Sequence, residues 1–151
     1  MRLRHVNPPQ LPDWSALFSQ VVIADGGGYR IVVVSGQVGV DANQSLAGDG
    51  GFQAQLGQAF VNLATALEAA GSRFKEVAKL TLFVVGYTHD HSDLIAAELR
   101  KHFGADPRPA LSLIGVQSLA RPEFLVEVEA LAIGDQPGRP RNSLQAPWPT
   151  E

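Results

Sequence analysis

The stretch LVEVEALAI, residues 125–133, limits the fold most, because two glutamates stand two residues apart in an otherwise apolar run. Side chains alternate between the faces of a β-strand. A strand here therefore places one set on each side: Phe124, Val126, Val128, Ala130 and Ala132 against Leu125, Glu127, Glu129, Leu131 and Ile133. The mixed second face indicates a surface covered by another subunit or lining a ligand cleft. The alternative is a solvated edge strand whose charges prevent aggregation, and this is the commoner situation.

The composition predicts one domain and excludes several classes of function. The chain has 151 residues, 45% of them hydrophobic. This length is enough for one domain with a hydrophobic core but too short for two well-packed domains. The net charge is −3 without any run of Lys or Arg, which argues against nucleic-acid binding. The absence of cysteine excludes disulfides, thiolate zinc sites and a cysteine nucleophile, and it fits a cytoplasmic protein. No apolar segment indicates export or membrane insertion.

The order of predicted elements is β-β-α-β-α-β-β, which indicates an α+β fold with a mixed sheet and two helices on one face. Strands are predicted at residues 20–24 and 29–38, joined by a glycine-rich hairpin turn, and the IVVV run in the second strand predicts burial on both faces. A helix runs from Phe52 to a stop at Gly71, and another begins after Asp90 or Ser92 and ends at Phe103. The remaining strands are expected at residues 77–87, 111–118 and 124–133.

Three segments follow from this pattern. Residues 1–16 form a lead that is rich in proline towards its end, residues 17–135 form the domain, and residues 136–151 form a Pro-rich tail without periodicity. Trp148, between two prolines of that tail, is either an idle aromatic residue or a side chain that packs on a neighbouring chain. We expect the tail to be disordered or arm-like.

Several polar motifs have an ordinary structural interpretation. The HDHSD motif, residues 89–93, has ligand types that suit a divalent metal, but it coincides with the expected start of a helix, where Asp and Ser are common caps. The glycines of loop 41–51 lack the GK[ST] or GxGxxG pattern of a phosphate-binding loop. Ser35 has no nearby base that would make it a nucleophile. We therefore expect no metal site, and Glu127 and Glu129 remain the strongest candidates for acid–base chemistry.

Six segments, in order along residues 17–133, resemble the RidA/YjgF family of enamine and imine deaminases: FSQVV, VVSGQVGVD, LEAAGS, VAKLTLFV, PALSLIGV and VEVEALA. The resemblance implies a chorismate-mutase-like α+β protomer that assembles as a homotrimer with three small-molecule clefts at the subunit interfaces. Active members need no cofactor. In them, water attacks an imine or enamine and gives a 2-keto acid and ammonia.

The resemblance also implies a site. Glu127 corresponds to the glutamate that positions or activates water, and the implied ligand-binding positions are Phe18, Ser35, Gly36, Glu98, Leu111, Ser112 and Leu113. Leu111 stands where the PARS motif of the family has the arginine that binds the substrate carboxylate. Phe18 replaces a pocket tyrosine, and Glu98 falls near a pocket asparagine.

These departures leave three hypotheses. The cleft binds a less acidic small molecule, since a carboxylate desolvated against leucine loses charge-assisted hydrogen bonds worth about 1.5–3 kcal/mol. Alternatively, the protein is an active deaminase in which Arg108 or Arg121 holds the carboxylate. In the third hypothesis it is a non-catalytic protein that engages a partner through the trimer or the tail with Trp148.

Overall fold

The computed structural model describes residues 2–104 and 108–137. It contains two α-helices, a 3₁₀ turn and six strands: β1 (Arg2–Val6), β2 (Val21–Gly26), β3 (Tyr29–Val38), α1 (Phe52–Ala69), the 3₁₀ turn (Phe74–Glu76), β4 (Val77–Val85), α2 (Asp90–Phe103), β5 (Ala110–Val116) and β6 (Val126–Asp135). The predicted α+β class and the order from β2 to β6 are confirmed. Strand β1 was not predicted and lies within the expected lead, whereas Trp148 falls outside the described residues.

The six strands form one mixed sheet in the order β1-β2-β3-β6-β4-β5. Only β4 and β5 pair in parallel, as expected for strands joined by a helical crossover through α2. The pairing of β3 with β6 is interrupted by a bulge between Val34 and Gln37. Strand β6 thus lies inside the sheet, and the edge-strand interpretation of its two glutamates is wrong.

Glycines end the first helix and form the first hairpin. Gly27 and Gly28 have φ angles of 65° and 89°, as a two-residue type I′ turn requires, and they join β2 to β3. Gly71, with φ of 69°, donates its N–H to the Glu68 carbonyl oxygen at 2.8 Å, and Ser72 donates to the Leu67 carbonyl oxygen at 2.9 Å. This pair of bonds is a Schellman motif, so the predicted stop at Gly71 is confirmed.

The core lies between the two helices and one face of the sheet. Alternate residues of β6, namely Val126, Val128, Ala130 and Ala132, are buried as the alternation predicted. They pack with a row from α1 consisting of Leu56, Ala59, Phe60, Leu63 and Leu67. Burial of these side chains is the main stabilising contribution, at roughly 25 cal/mol per Å² of apolar surface.

The opposite face of the sheet is apolar and open within the single chain. In β3, Val32 and Val34 are buried, whereas Ile31 is 37% exposed and Val33 is 47% exposed. The expectation that β3 is buried on both faces is therefore wrong for one chain, because α1 and α2 cover only one side. Ile133 of β6 is also 47% exposed on the open face. Within the described ranges, neither helix is long and apolar enough to cross a membrane.

Candidate active site

A cleft of about 520 Å³ opens beside the first residues of β6. Its apolar lining comes from the segment after β1, the end of β3 and the segment before β6, and consists of Trp14, Leu17, Phe18, Val38, Ala120 and Phe124. Its other lining residues are Ser35, Gly36, Arg121, Glu127 and Glu129. The structure thus brings four of the predicted site residues together, namely Phe18, Ser35, Gly36 and Glu127.

Glu127 is half-buried in the middle of the sheet. It pairs with Val38 of β3 on one side and with Phe83 of β4 on the other. Its carboxylate has no hydrogen-bond or ion-pair partner among the described residues. Burial raises the pKa of Glu127, and repulsion from the neighbouring Glu129 raises it further. A carboxylate in this state is suited to exchange a proton with a bound water or ligand.

The bulge in β3 makes room for that carboxylate. A Cβ atom built on Gly36 would lie 2.7 Å from Cγ of Glu127 and still closer to the carboxylate itself. Any side chain at this position would therefore displace Glu127. A glycine in a strand often marks such a close approach, although the sequence alone does not show which group approaches.

Ser35, beside Gly36, stabilises the bulge through two hydrogen bonds. Its hydroxyl donates to the Ser19 carbonyl oxygen at 2.7 Å, and its backbone N–H donates to the Gln20 carbonyl oxygen at 3.0 Å. Among the described residues, the Ser35 hydroxyl donates to a backbone carbonyl oxygen and not to a side-chain base. Gln37 extends this network, since its side-chain amide donates to Gln20 Oε1 at 2.8 Å.

Gln55 of α1 fixes the segment that leads into β6. Its side-chain amide nitrogen donates to the carbonyl oxygens of Gly50 and Glu123 at 2.8 and 2.9 Å, and its Oε1 accepts the N–H of Leu125 at 3.0 Å. Gln55 is fully buried. Gln55 was not predicted as a functional residue, and its one signal in the sequence is a glutamine on the apolar face of a helix.

Among the residues that the structure describes, Arg121 is the single cation that lines the cleft. Its guanidinium lies 5.1 Å from the ring centre of Trp14 and 5.7 Å from that of Phe124. Its Nη2 donates to Gln44 Oε1 at 2.7 Å. The three contacts fix the guanidinium at the cleft wall.

Leu111 lies elsewhere. It lines a smaller groove of about 220 Å³ between α2 and β5, together with Leu99, Phe103 and Arg108. In the strand ladder, Leu111 pairs with Leu80 and Leu113 with Leu82, so both are on the helix side of the sheet.

Ser112, between these leucines, is on the opposite side. It pairs with Thr81, which in turn pairs with Glu129. Ser112 Oγ accepts a hydrogen bond from Lys79 Nζ at 2.6 Å. One chain therefore does not bring Leu111, Ser112 or Leu113 into the cleft lined by Glu127.

Glu98 also lies apart from the cleft in the single chain. Its Oε1 contacts His102 Nε2 at 2.8 Å and Lys101 Nζ at 3.1 Å along α2. His102 is stacked on Phe60 with ring centres 5.0 Å apart. His102 thus links the Glu98 carboxylate to the ring of Phe60, and the contacts with His102 and Lys101 occupy that carboxylate.

The HDHSD motif forms the start of α2, which begins at Asp90. His91 packs on Phe52 with ring centres 4.3 Å apart and accepts the Thr88 N–H at 2.9 Å. Ser92 Oγ lies 2.7 Å from Tyr87 Oη. Across residues 2–104 and 108–137, no group of three or more His, Cys, Asp or Glu side chains is arranged to hold a metal ion.

Known proteins are similar to this chain in both sequence and fold. The family model described as Endoribonuclease L-PSP matches residues 10–134. A Mus musculus protein named 2-iminobutanoate/2-iminopropanoate deaminase is 33% identical over 117 residues, which cover 77% of this chain and 80% of the mouse protein.

Two crystal structures extend the likeness to three dimensions. A putative endoribonuclease from Thermotoga maritima matches with a TM-score of 0.77 and 28% identity, covering 90% of this chain and all of the other. RidA from an Antarctic Psychrobacter matches with a TM-score of 0.72 and 25% identity, covering 85% and 98% of the two chains. Because the family model spans most of the sequence and the same fold recurs, the chain belongs to the RidA/YjgF family.

Proposed function

We propose that this protein hydrolyses short-lived imines or enamines to a carbonyl compound and ammonia, without a cofactor, in the cleft lined by Glu127. One observation carries the proposal: the Glu127 carboxylate is half-buried, has a raised pKa and has no partner among the described residues. A buried base with a free lone pair is what activation of water requires. Relatives named 2-iminobutanoate/2-iminopropanoate deaminase support this reaction class.

The proposed reaction has two steps. Ionised Glu127 accepts a proton from water while the water oxygen bonds to the imine carbon and the C=N π pair moves to nitrogen, and Glu127 then passes this proton to that nitrogen. The resulting carbinolamine then loses ammonia. Glu127 accepts the hydroxyl proton as the C=O bond forms, the C–N bond breaks, and this proton is delivered to the leaving nitrogen, which departs as ammonia. Water is the single co-reactant, so atoms and charges balance.

We also propose that the active form is a homotrimer with clefts between subunits. The open sheet face with Ile31, Val33 and Ile133 supports this, because a monomer would leave an apolar patch in water. Leu111 and Glu127 lie on opposite sheet faces of one chain, so the single cleft that the family resemblance implies for both positions requires a neighbouring copy. A cytoplasmic location for this assembly is in keeping with the cysteine-free sequence.

Light scattering tests the assembly. We expect a trimer for the wild type and dissociation or aggregation for Val33→Glu, which introduces a charge on the open face. Val61→Glu is the matched control, since Val61 is 49% exposed but belongs to α1. A monodisperse wild-type monomer would refute the trimer proposal.

Ammonia release from imines tests the reaction. An amino-acid oxidase generates 2-imino acids in situ, and the rate of their hydrolysis is compared for wild type, Glu127→Gln and the exposed control Glu68→Gln. We expect at least a hundredfold loss for Glu127→Gln and no change for Glu68→Gln, because general base catalysis typically contributes 10²–10⁴-fold. Equal rates with and without the wild-type protein, for every imine supplied, would refute the proposed reaction.

A second candidate function is binding of a less acidic small molecule without turnover. Leu111 favours it, because this residue makes the corresponding groove apolar where the family motif has arginine. The variant Leu111→Arg separates the two functions. If this variant hydrolyses 2-imino acids and the wild type does not, the cleft has been adapted to another ligand.

A further inference from the structure

The charges of the cleft match a dipolar ligand. Of the described residues that line it, Arg121 is the single cation, and Glu127 and Glu129 are the two acids. Arg121 forms no ion pair with either glutamate, so the positive and negative groups occupy different parts of the cleft wall. A ligand with a carboxylate at one end and a neutral or cationic C=N group at the other has complementary charges.

The guanidinium of Arg121 is held in place but not neutralised. Trp14 and Phe124 contact it, and Gln44 accepts one of its hydrogen bonds. None of these partners is charged, and Arg121 forms no ion pair with a described carboxylate. Because a guanidinium has five N–H donors in a planar fork, donors remain for a ligand carboxylate.

Gln44, which accepts the hydrogen bond from Arg121, has an unusual backbone conformation. It is the one non-glycine residue with positive φ among the described residues, at 65°. Such a conformation is unfavourable for glutamine and persists when surrounding contacts impose it. Here the Asp41 carbonyl oxygen accepts the Gln44 N–H at 2.9 Å, and Asp41 Oδ1 accepts the N–H groups of Asn43 and Ser45, each at 2.9 Å. The loop thereby presents Gln44 to Arg121.

We propose that Arg121 binds the carboxylate of a 2-imino acid substrate and so directs its C=N group towards Glu127. This inference rests on the proposed function. It assigns to Arg121 the binding of the substrate carboxylate, an anchor that Leu111 cannot provide. Arg121 and Glu127 line the same cleft of one chain, whereas Arg108 lines the groove beside Leu111 and reaches Glu127 only from a neighbouring copy. Trp14 and Phe18 form an apolar wall for the substrate side chain, and the two glutamates exclude a second negative charge.

Two measurements on the full-length protein test the anchor. The first is calorimetric binding of 4-methyl-2-oxopentanoate, a stable 2-oxo acid with an apolar side chain. The second is hydrolysis of two imines, one carrying a carboxylate and made by an amino-acid oxidase, the other made from isoamylamine by an amine oxidase and lacking one. Both compare wild type with Arg121→Gln, Arg121→Lys, Arg108→Gln and the control Arg73→Gln, whose side chain is 64% exposed.

We expect Arg121→Gln to weaken 2-oxo acid binding by about 10- to 100-fold, as loss of charge-assisted hydrogen bonds implies. Its KM for the carboxylate-bearing imine should rise similarly, while hydrolysis of the carboxylate-free imine stays within twofold of wild type. Arg121→Lys should keep part of the binding, because it retains the charge without the planar fork. Arg108→Gln and Arg73→Gln should bind as the wild type does.

The outcomes separate the anchor from the reaction. If wild type binds the 2-oxo acid through Arg121 but hydrolyses neither imine, the anchor stands and the proposed function fails. If both imines are hydrolysed and Arg121→Gln changes neither binding nor KM, the anchor is overturned and the function stands. An equal loss for the carboxylate-free imine, a loss with Arg108→Gln instead, or no 2-oxo acid binding by the wild type at millimolar concentration would also overturn the anchor.

Discussion

Gly36→Ala is expected to reduce catalysis while leaving the protein folded. Gly36 is not among the glycines with positive φ, so alanine fits its backbone. The added Cβ would lie 2.5 Å from Cδ of Glu127 and 2.7 Å from its Cγ, distances that real Cβ atoms essentially never show. Because the obstructing atoms belong to the end of a side chain beside an open cleft, the Glu127 carboxylate moves and the backbone does not.

The magnitudes differ for stability and for activity. Moving Glu127 off its present rotamer costs about 0.5–1.5 kcal/mol, and replacing glycine by alanine returns about 0.4–1 kcal/mol by reducing the entropy of the unfolded chain. The free energy of unfolding should therefore change by less than about 1 kcal/mol. A displacement of about 1 Å at a reacting group costs roughly 10²-fold in rate, so kcat/KM for imine hydrolysis should fall about 100-fold.

Urea unfolding and imine hydrolysis measure the two effects on the same preparations. Gly57→Ala is the control, because nothing lies within 4 Å of the Cβ it adds and it falls within α1. It should leave kcat/KM unchanged and raise stability by up to about 1 kcal/mol, the difference in helix propensity. Wild-type kcat/KM in Gly36→Ala, or destabilisation by more than about 3 kcal/mol, would refute the reasoning.

Two further predictions concern stability. The pKa of Glu127 is raised above 4.5, so the native state binds this proton more tightly than the unfolded state, and the associated stabilisation is lost as the pH rises through the native pKa. Glu127→Gln should therefore unfold at higher urea than wild type at pH 7 and at the same urea below pH 4, and the reverse order at pH 7 would contradict this. Gln55→Leu leaves three backbone groups unpaired, so the free energy of unfolding should fall by about 3 kcal/mol or more in the same urea assay. Its control, Gln58→Leu, loses only the bond to Asn62 and should lower that free energy by about 1 kcal/mol.

Local chemistry made much of this fold predictable. The faces of β6 follow from the two-residue period of a strand, and the end of α1 follows from Gly71 with its positive φ. That Glu127 and Gly36 lie in the same cleft was predicted from the family resemblance, because their residue types alone do not reveal it. Strand β1 was missed because its sequence, RLRHV, has little apolar content, and what stabilises it is pairing with β2.

Contacts between distant segments could not be derived from local patterns. Arg121 and Gln44 are 77 residues apart, and Trp14 reaches the same guanidinium from the segment after β1. The sequence therefore offered both Arg108 and Arg121 as candidates, and the fold of one chain places Arg121 in the cleft lined by Glu127. Likewise, burial of β3 on both faces was predicted from its composition, whereas a single chain has helices for just one side.

The position of β6 in the sheet has a consequence for synthesis of the protein. Strands β1, β2 and β3 form one antiparallel group and β4 and β5 a parallel pair, and in the described sheet β6 alone joins them. Because β6 is the last of these strands to leave the ribosome, the edges of β3 and β4 remain unpaired until β6 has been synthesised. Such edges recruit other strands, so nascent chains halted before residue 126 should be prone to aggregate and to need chaperones. Glu127 then enters the sheet in the same step that joins its two halves.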